Sequence, residues 1–573
     1  MSGTSCDNCN NDKAINHDKG LSGKAVLDDI TLDNNYNRKD TTLSVPCKRS
    51  DDYIFSHHAG ILIHSFFITQ LPGIISFARQ WLVTILLGAI NIEQSKLLNF
   101  HSLANMFCKL KRSLNLQRHL LGEHALIDKN LDNLFRYNST IVNARGCSDF
   151  YYDPHTKPYR GFQKILKGWC GNLGRPEKII NMDFIHTCFG DPVWISYDDN
   201  FYDLRERFLK NLNGFRQALN YPDNVKITVV VDRGIYKLEL FEEIIDSGDN
   251  LITWEKGYKR GNWDDKTKDG EFVMIRHRNN SKDKLFFKFE YIKRDWSKNN
   301  KMSQIIVKAT NPKGNTIEVS IITNDKQRNE QEIIRLMFKR WLQENDFKYL
   351  SKHFGIDEIT SYESISYTSL KGFIEDKQVK SGELKSLKKD KSRLEKELKK
   401  VLLSEHQSKR KNKKRDEKIQ DLTLKLSKLK KMIENISEKE SKLDALIREG
   451  NRKLKTNKKA LMDVIKIIAR NIFYRSIEPF KNLYNNYRDD HVIYRNLTQA
   501  DGCIHYGENI VKVILFPTAQ YSPKIRSVVN KYLHLLNYSS PIMPDGSNRK
   551  IVFSLANQEN IIAIQKGKKQ QNY

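Results

Sequence analysis

The chain has 573 residues, with 97 Lys and Arg against 69 Asp and Glu and a formal net charge of +28. That balance points to a polyanionic partner, nucleic acid before an acidic membrane surface. No stretch approaches the roughly 18 apolar residues of a membrane span, the polar N-terminus lacks a signal peptide's apolar core, and eight scattered cysteines argue for a reducing compartment over a disulfide framework. Composition therefore predicts a soluble, intracellular, basic protein of several domains.

Residues 1–50 are rich in Asn, Asp, Lys, Ser and Thr and read as a disordered tail. Cys6 and Cys9 form a lone CxxC with no second pair at zinc-ribbon spacing, so a solvated tail is the plainer reading. Residues 51–145 carry a helical pattern. Ile74–Leu87 has an apolar stripe, Gly88 breaks it, and Ile92 starts a second helix. This is compatible either with a helix-turn-helix reader of DNA ends or with a helical hairpin inside a bundle. The basic cluster Lys109, Lys111, Arg112 and Arg118 follows.

A strand is expected at Phe150–Tyr152, closed by Asp153 and stopped by Pro154. Lys164–Trp169 and Pro192–Tyr197 read as the next strands of a meander. Phe201–Leu219 reads as an amphipathic helix, with Leu204, Phe208, Leu212, Phe215 and Leu219 at helical spacing. The run Val225–Val231 is almost wholly β-branched and uncharged after Lys226, the pattern of a strand buried on both faces. Asp232 stands at its exit, where open α/β sheets bind ligands. Taken alone, a cap on the following turn is the plainer reading of Asp232. A helix from Leu238 and a strand at Asn250–Trp254 follow.

Residues 259–323 alternate strand-like pieces with charged turns and predict an antiparallel β insertion. A single helix is expected from Arg328 to about His353, stopped by Gly355 and carrying Glu344. From 376 to 456 the composition turns to Lys, Glu and Leu. Ile419, Leu422, Leu426, Leu429, Ile433, Ile436, Leu443 and Ile447 fall on a and d positions over four heptads. That predicts a coiled coil, dimeric or folded back as a helical hairpin, with the basic run Lys409–Arg415 at the tip. Residues 457–573 read as a helix followed by a small α/β module.

Three acids stand out: Asp153 and Asp232 at strand ends and Glu344 on a helix after the insertion. Three carboxylates on a sheet edge suit two Mg²⁺ ions, because hard cations take oxygen ligands and phosphodiester displacement needs both moving oxygens neutralised. At these residues the sequence resembles the DDE transposases of the insertion-sequence type. The resemblance rests on Tyr-Tyr-Asp153, on Val-Asp232-Arg233-Gly234, and on Arg340-Trp-Leu-Gln-Glu344 through Lys348, Lys352 and Gly355 to Asp357. The β insertion matches the subgroup with a Tyr-x2-Arg-x3-Glu-x6-Lys signature. Arg340 and Glu344 keep that spacing; Met337 stands at the Tyr position and Ser351 at the Lys position, with Lys352 next.

The resemblance covers about residues 146–360 and implies, over 146–365, a ribonuclease H-like mixed α/β sheet with an inserted antiparallel β subdomain. It implies that Asp153 and Asp232 bridge two Mg²⁺ (or Mn²⁺) ions and that Glu344 ligates one. Water would cut one DNA strand at the element's end, and the freed 3′-OH would attack target DNA. Arg233, Arg340, Lys348 and Lys352 would contact DNA. It further implies a homodimer or higher oligomer on DNA, in a prokaryotic cytoplasm at the nucleoid, with no membrane partner. Two other readings stay open: a catalytically retired, DNA-binding coiled-coil protein serving as repressor or scaffold, and a nuclease that cuts without joining.

Overall fold

The structure is a computed structural model that describes residues 42–44, 53–222, 224–261, 263, 265–278, 283–403, 409–484, 486, 489–517 and 521–556. Cys6 and Cys9 lie outside them. No helix among the described residues is long and apolar enough to cross a membrane.

A short strand, β1 (Tyr53–Ser56), leads through a one-turn helix at Ser65–Thr69 into four longer ones: α1 (Arg79–Leu86), α2 (Phe100–Phe107), α3 (Leu114–His124) and α4 (Asp128–Val142). Trp81–Leu86 of α1 are all buried, as are Phe100 and Ser102–Phe107 of α2. Where a second helix was expected to start at Ile92, the chain makes a 3-10 turn, Glu93–Leu97, and the helix starts at Phe100.

The main sheet follows. Its strands are β2 (Asp149–Pro158), β3 (Lys167–Cys170), β4 (Arg175–Thr187), β5 (Pro192–Asp198), β6 (Thr228–Val231) and β7 (Asn250–Trp254). Helix α5 (Leu204–Ala218) crosses from β5 to β6, and α6 (Leu238–Asp246) from β6 to β7. β2, β6 and β7 run parallel, and β4 alone is reversed, antiparallel to β2 on one side and to β5 on the other, in the order β5-β4-β2-β6-β7. α5 starts on a capping box between Asp203 and Glu206. It lays Phe208 and Phe215 on Tyr152 and Phe150, with ring centroids 4.8 and 5.0 Å apart.

The expected insertion is a meander of β8 (Gly270–Arg278), β9 (Asp283–Asp295), β10 (Ser303–Thr310) and β11 (Thr316–Thr323). β11 pairs antiparallel with β7, Ile321 opposite Trp254, so the meander extends the main sheet rather than standing apart from it. The long helix expected from 328 to 353 is two, α7 (Glu330–Phe338) and α8 (Trp341–Phe354). Lys339 and Arg340 between them keep right-handed helical angles, which makes the break a slight kink. Gly355, at φ +59°, ends α8 as expected.

Helices α9 (Gly382–Leu402) and α10 (Lys409–Glu434) form an antiparallel hairpin rooted on a strand pair, 378–380 with 439–441. The heptads do not run on through Ile447. α10 stops at Glu434, and Leu443 belongs to α11 (Lys442–Arg448), packed with Phe201 and Tyr367 on the body. The chain has to leave the hairpin there to rejoin the sheet.

Helix α12 (Asn457–Leu483) is the axis of the molecule. It touches α1, α3, α4, β5, α8 and both remaining helices, α13 (Asp490–Thr498) and α14 (Pro523–Tyr538). A last sheet joins β12 (Asp501–Tyr506), β13 (Ile510–Phe516) and β14 (Lys550–Leu555), and its first strand is β1. The expected division between 51–145 and 457–573 therefore gives way to one body with a shared core. A four-residue strand has no stability alone and takes its partner from wherever an edge is offered.

Along α12, Lys459, Asp463, Lys466 and Arg470 recur at spacings of four, three and four, all buried. Lys459 donates to the carbonyls of Ile356 and Glu358 (2.9 and 2.7 Å), and Lys466 to that of Gly355 (2.6 Å), meeting the chain as it leaves the end of α8, where the helix dipole is negative. Arg470 binds Asp346 of α8 at 2.7 Å through Nε and Asp191 at 2.6 Å through Nη1. Burial works against the Arg470 charge, but Asp346 and Asp191 outweigh it and hold its pKa above the ordinary value. Replacing Arg470 with Met leaves two buried carboxylates short of their cation and should cost about 3–5 kcal/mol. The check is urea denaturation, with Asp346→Asn in the same chain expected to recover part of the loss.

Candidate active site at the ends of two parallel strands

Tyr152 of β2 is in register with Val231 of β6, and both strands run the same way. The next residues, Asp153 and Asp232, therefore stand level on adjacent strands, about 5 Å apart at the backbone. Side chains alternate along each strand. Phe150, Tyr152, Val229 and Val231 enter one core, while Tyr151 and Val230 enter another with Ile333 and Met337 of α7. By that alternation Asp153 and Asp232 point to the face that α7 and α8 cover.

The strand does not end at Pro154. β2 continues to Pro158, paired with β4 alone because β6 has already stopped at Val231. A proline is tolerated there because one side of the strand is free. Asp232 also does what its plainer reading requires, accepting a hydrogen bond from the Arg233 N–H (2.8 Å) at the head of a 3-10 turn.

Helix α8 is seated on this face by Phe347, whose ring lies 3.7 Å from His155 and 5.6 Å from Phe184 between centroids. Asp346 beside it takes Nε2 of the buried His186 at 3.3 Å as well as Arg470. Glu344, in the first turn, is exposed and pairs with Arg340 at 3.4 Å. Burial raises the pKa of Asp153 above the usual carboxylate range; the charge of Glu344 adds to the rise, while His186, Arg340 and His155 oppose it. Arg340 and Glu344 are thus both within electrostatic reach of Asp153. Lys348 and Lys352 are exposed at four and eight residues beyond Glu344. Arg233 is exposed on the other side of Asp232, on a cleft of about 440 Å³ lined also by Trp254, Glu255, Tyr258 and Arg260.

Among the described residues, no group of three or more His, Cys, Asp or Glu is gathered closely enough to hold a metal ion. Asp153 and Asp232 stand level at the ends of adjacent strands, and Glu344 is paired with Arg340. Three bare carboxylates in contact repel one another, and here a guanidinium takes up the third. Asp153 and Asp232 still suit a divalent cation: two hard oxygen donors held level on rigid strands, one of them half-buried with its charged form disfavoured by desolvation. Glu255 is not a spare ligand. Trp296, Gln304 and Ser320 donate to it at 3.1, 2.5 and 2.8 Å, and these bonds outweigh burial to keep its pKa low.

Sequence reading missed His186, Asp346 and Arg470. His186 lies on β4, a strand obscured by Asn181 and Asp183 in its middle. Asp183 is neutralised by Arg207 at 2.8 Å, and Asn211 donates to it at 3.0 Å, both from α5. The stripe Lys459–Asp463–Lys466–Arg470 was the available signal, four charges on one face within the mainly apolar run 459–473.

A family described as Transposase protein matches residues 217–557, which is more than half of the chain and takes in Asp232, Glu344, the hairpin and α12. The chain belongs to this transposase family. No curated protein matches it. Among solved structures, the cryo-EM structure of the piggyBac transposase synaptic complex with hairpin DNA is similar over 51% of this chain and 59% of that one, at 9% identity and a TM-score of 0.26. The chain thus spans less than two thirds of that neighbour's length.

The raised Asp153 pKa has a consequence for stability. The folded state holds this proton more tightly than the unfolded one, so the stability that protonation contributes is complete below the unfolded value, about 3.9. It is lost as pH rises through the raised folded value. In metal-free buffer at pH 7, Asp153→Asn should therefore raise the melting temperature, and the gain should shrink as pH falls toward 4. Thermal melts of both proteins over that range check it; a variant less stable at pH 7 would contradict it.

Proposed function

We propose that the chain is a DDE-type transposase of the insertion-sequence kind, with a ribonuclease H-like core that cuts and joins DNA. The carrying observation is the level pair Asp153 and Asp232 on adjacent parallel strands, on the face covered by the helix of Glu344, within a member of a transposase family. The strand order β5-β4-β2-β6-β7 suits this reading, since it sets both acids at the centre of the sheet's carboxyl edge.

In this reading Asp153 and Asp232 would hold Mg²⁺, and Glu344, paired with Arg340, would be the third ligand. Bound there, two such ions would supply Lewis-acid neutralisation of the attacking and leaving oxygens of a phosphodiester. The chain's own residues position the DNA. Arg340, Lys348 and Lys352 follow Glu344's face of α8 and can hold phosphates, and Arg233 offers a guanidinium on the far side of Asp232. The buried sheet beneath keeps the two aspartates at fixed separation.

A retired, DNA-binding descendant is the second reading. Glu344 paired with Arg340, and Met337 buried in the core at the signature's Tyr position, favour it. Asp232→Asn separates the two. Asn keeps the hydrogen bond from Arg233 but loses the charge, so Mg²⁺-dependent nicking of element-end DNA should fall on the order of 10³-fold, the equivalent of several kcal/mol. The same variant should lose any rise in melting temperature that Mg²⁺ gives the wild type. Equal nicking by both proteins would overturn the catalytic assignment, and two proteins that bind DNA but never nick it would establish the retired form.

A further inference from the structure

The hairpin α9–α10 has no part in the candidate site, yet it concentrates charge. Residues 382–434 hold nineteen Lys and Arg against nine Asp and Glu, a net +10 on under a tenth of the chain. The two helices meet along one seam. Leu384, Leu387, Leu394, Leu398 and Val401 of α9 are turned inward, as are Ile419, Leu422, Leu426, Leu429 and Ile433 of α10. Arg415 closes the far end on the carbonyls of Val401 and Leu402 (3.2 and 3.0 Å), and Lys418 pairs with Glu397 across the seam at 2.9 Å.

The charges of α9 are sorted by face. Its acids after the first turn, Asp390, Glu395 and Glu397, flank the seam. The opposite face carries Lys385, Lys389, Arg393, Lys396, Lys399 and Lys400, all exposed and with no acid among them. Among the described residues only Arg393 leans toward an acid, Asp390 at 3.4 Å. An ordinary solvated helix mixes signs on its outer face; this one presents a single sign over about 23 Å. The outer face of α10 is mixed, with Glu417 and Asp421 among its lysines.

The hairpin is also rooted beside the candidate site. Lys377, at its foot, pairs with Glu206 of α5, and Lys442 donates to the carbonyl of Phe201. Leu204, the first residue of α5, lies against Gly234, two residues after Asp232.

We propose that the outer face of α9 is an arm that grips the phosphate backbone of duplex DNA next to the Asp153–Asp232 site. The inference rests on the transposase reading for its ligand and assigns a separate surface to hold it. Lysines on a helix face make point-charge contacts with phosphates and read no bases, so the grip is independent of sequence.

The experiment compares the full-length wild type with a variant carrying Lys385, Lys389, Lys396 and Lys399 all as Gln, and with the same four positions as Arg. Each is titrated with a random-sequence 30-bp duplex across a series of salt concentrations. Each phosphate left without its lysine should flatten the plot of log affinity against log salt by about 0.9, so the Gln variant should lose up to about 3.6 units of slope. The Arg variant should keep the wild-type slope, which separates lost charge from lost fold. A Gln variant that binds like the wild type would overturn the arm while leaving the transposase reading intact. A wild type that binds no duplex would overturn both. A Gln variant unchanged on DNA but altered in self-association by sedimentation would overturn the arm in favour of a second copy of the chain on this face.

Discussion

The structure depends on one buried guanidinium. Arg470 lies near the middle of α12, out of water, and draws together Asp346 of α8 and Asp191 of the turn after β4. Such a cluster is weak evidence for stability, because desolvation cancels much of the attraction, but breaking it is costly. Its value here is positional. Asp346 fixes how α8 is rotated over the sheet, Phe347 sets its height against His155 and Phe184, and Lys459 and Lys466 hold the chain where it leaves the helix. Glu344, two residues before Asp346, inherits that placement.

The two aspartates are placed by different means. Their level comes from strand register, and their common face from alternation of side chains about Tyr152 and Val231. Neither depends on a loop. Between them and Glu344 stands Arg340, a positive charge that lowers the cost of ionising Asp153 and occupies the third carboxylate.

Much of this was legible in the chain. The β-branched run before Asp232, the heptad-like spacing of α5, the alternation of the insertion and the stop at Gly355 all follow from local periodicity and backbone preference. What escaped was set by distant partners. β4 carries Asn181 and Asp183; Arg207 and Asn211, more than twenty residues on, make Asp183 tolerable inside a sheet, and Asn181 donates to the carbonyl of Asp199 beyond the next strand. Pro154 read as a strand end because nothing local shows that the neighbouring strand has already stopped. The heptads ran past Glu434 on paper because Leu443 and Ile447 are apolar for another reason, their packing with Phe201 and Tyr367. β1 could not be assigned to a sheet whose other strands begin some 450 residues later.

Where a divalent cation binds is the most direct test of the site. Crystals of the protein with Mn²⁺ should show an anomalous peak shared by the carboxylates of Asp153 and Asp232, at bond lengths of roughly 2.0–2.2 Å for a hard cation on oxygen. Glu344 should be released from Arg340 in the same structure. A manganese bound elsewhere, or both aspartates bare at millimolar Mn²⁺, would contradict the assignment of this strand pair as the metal-dependent centre.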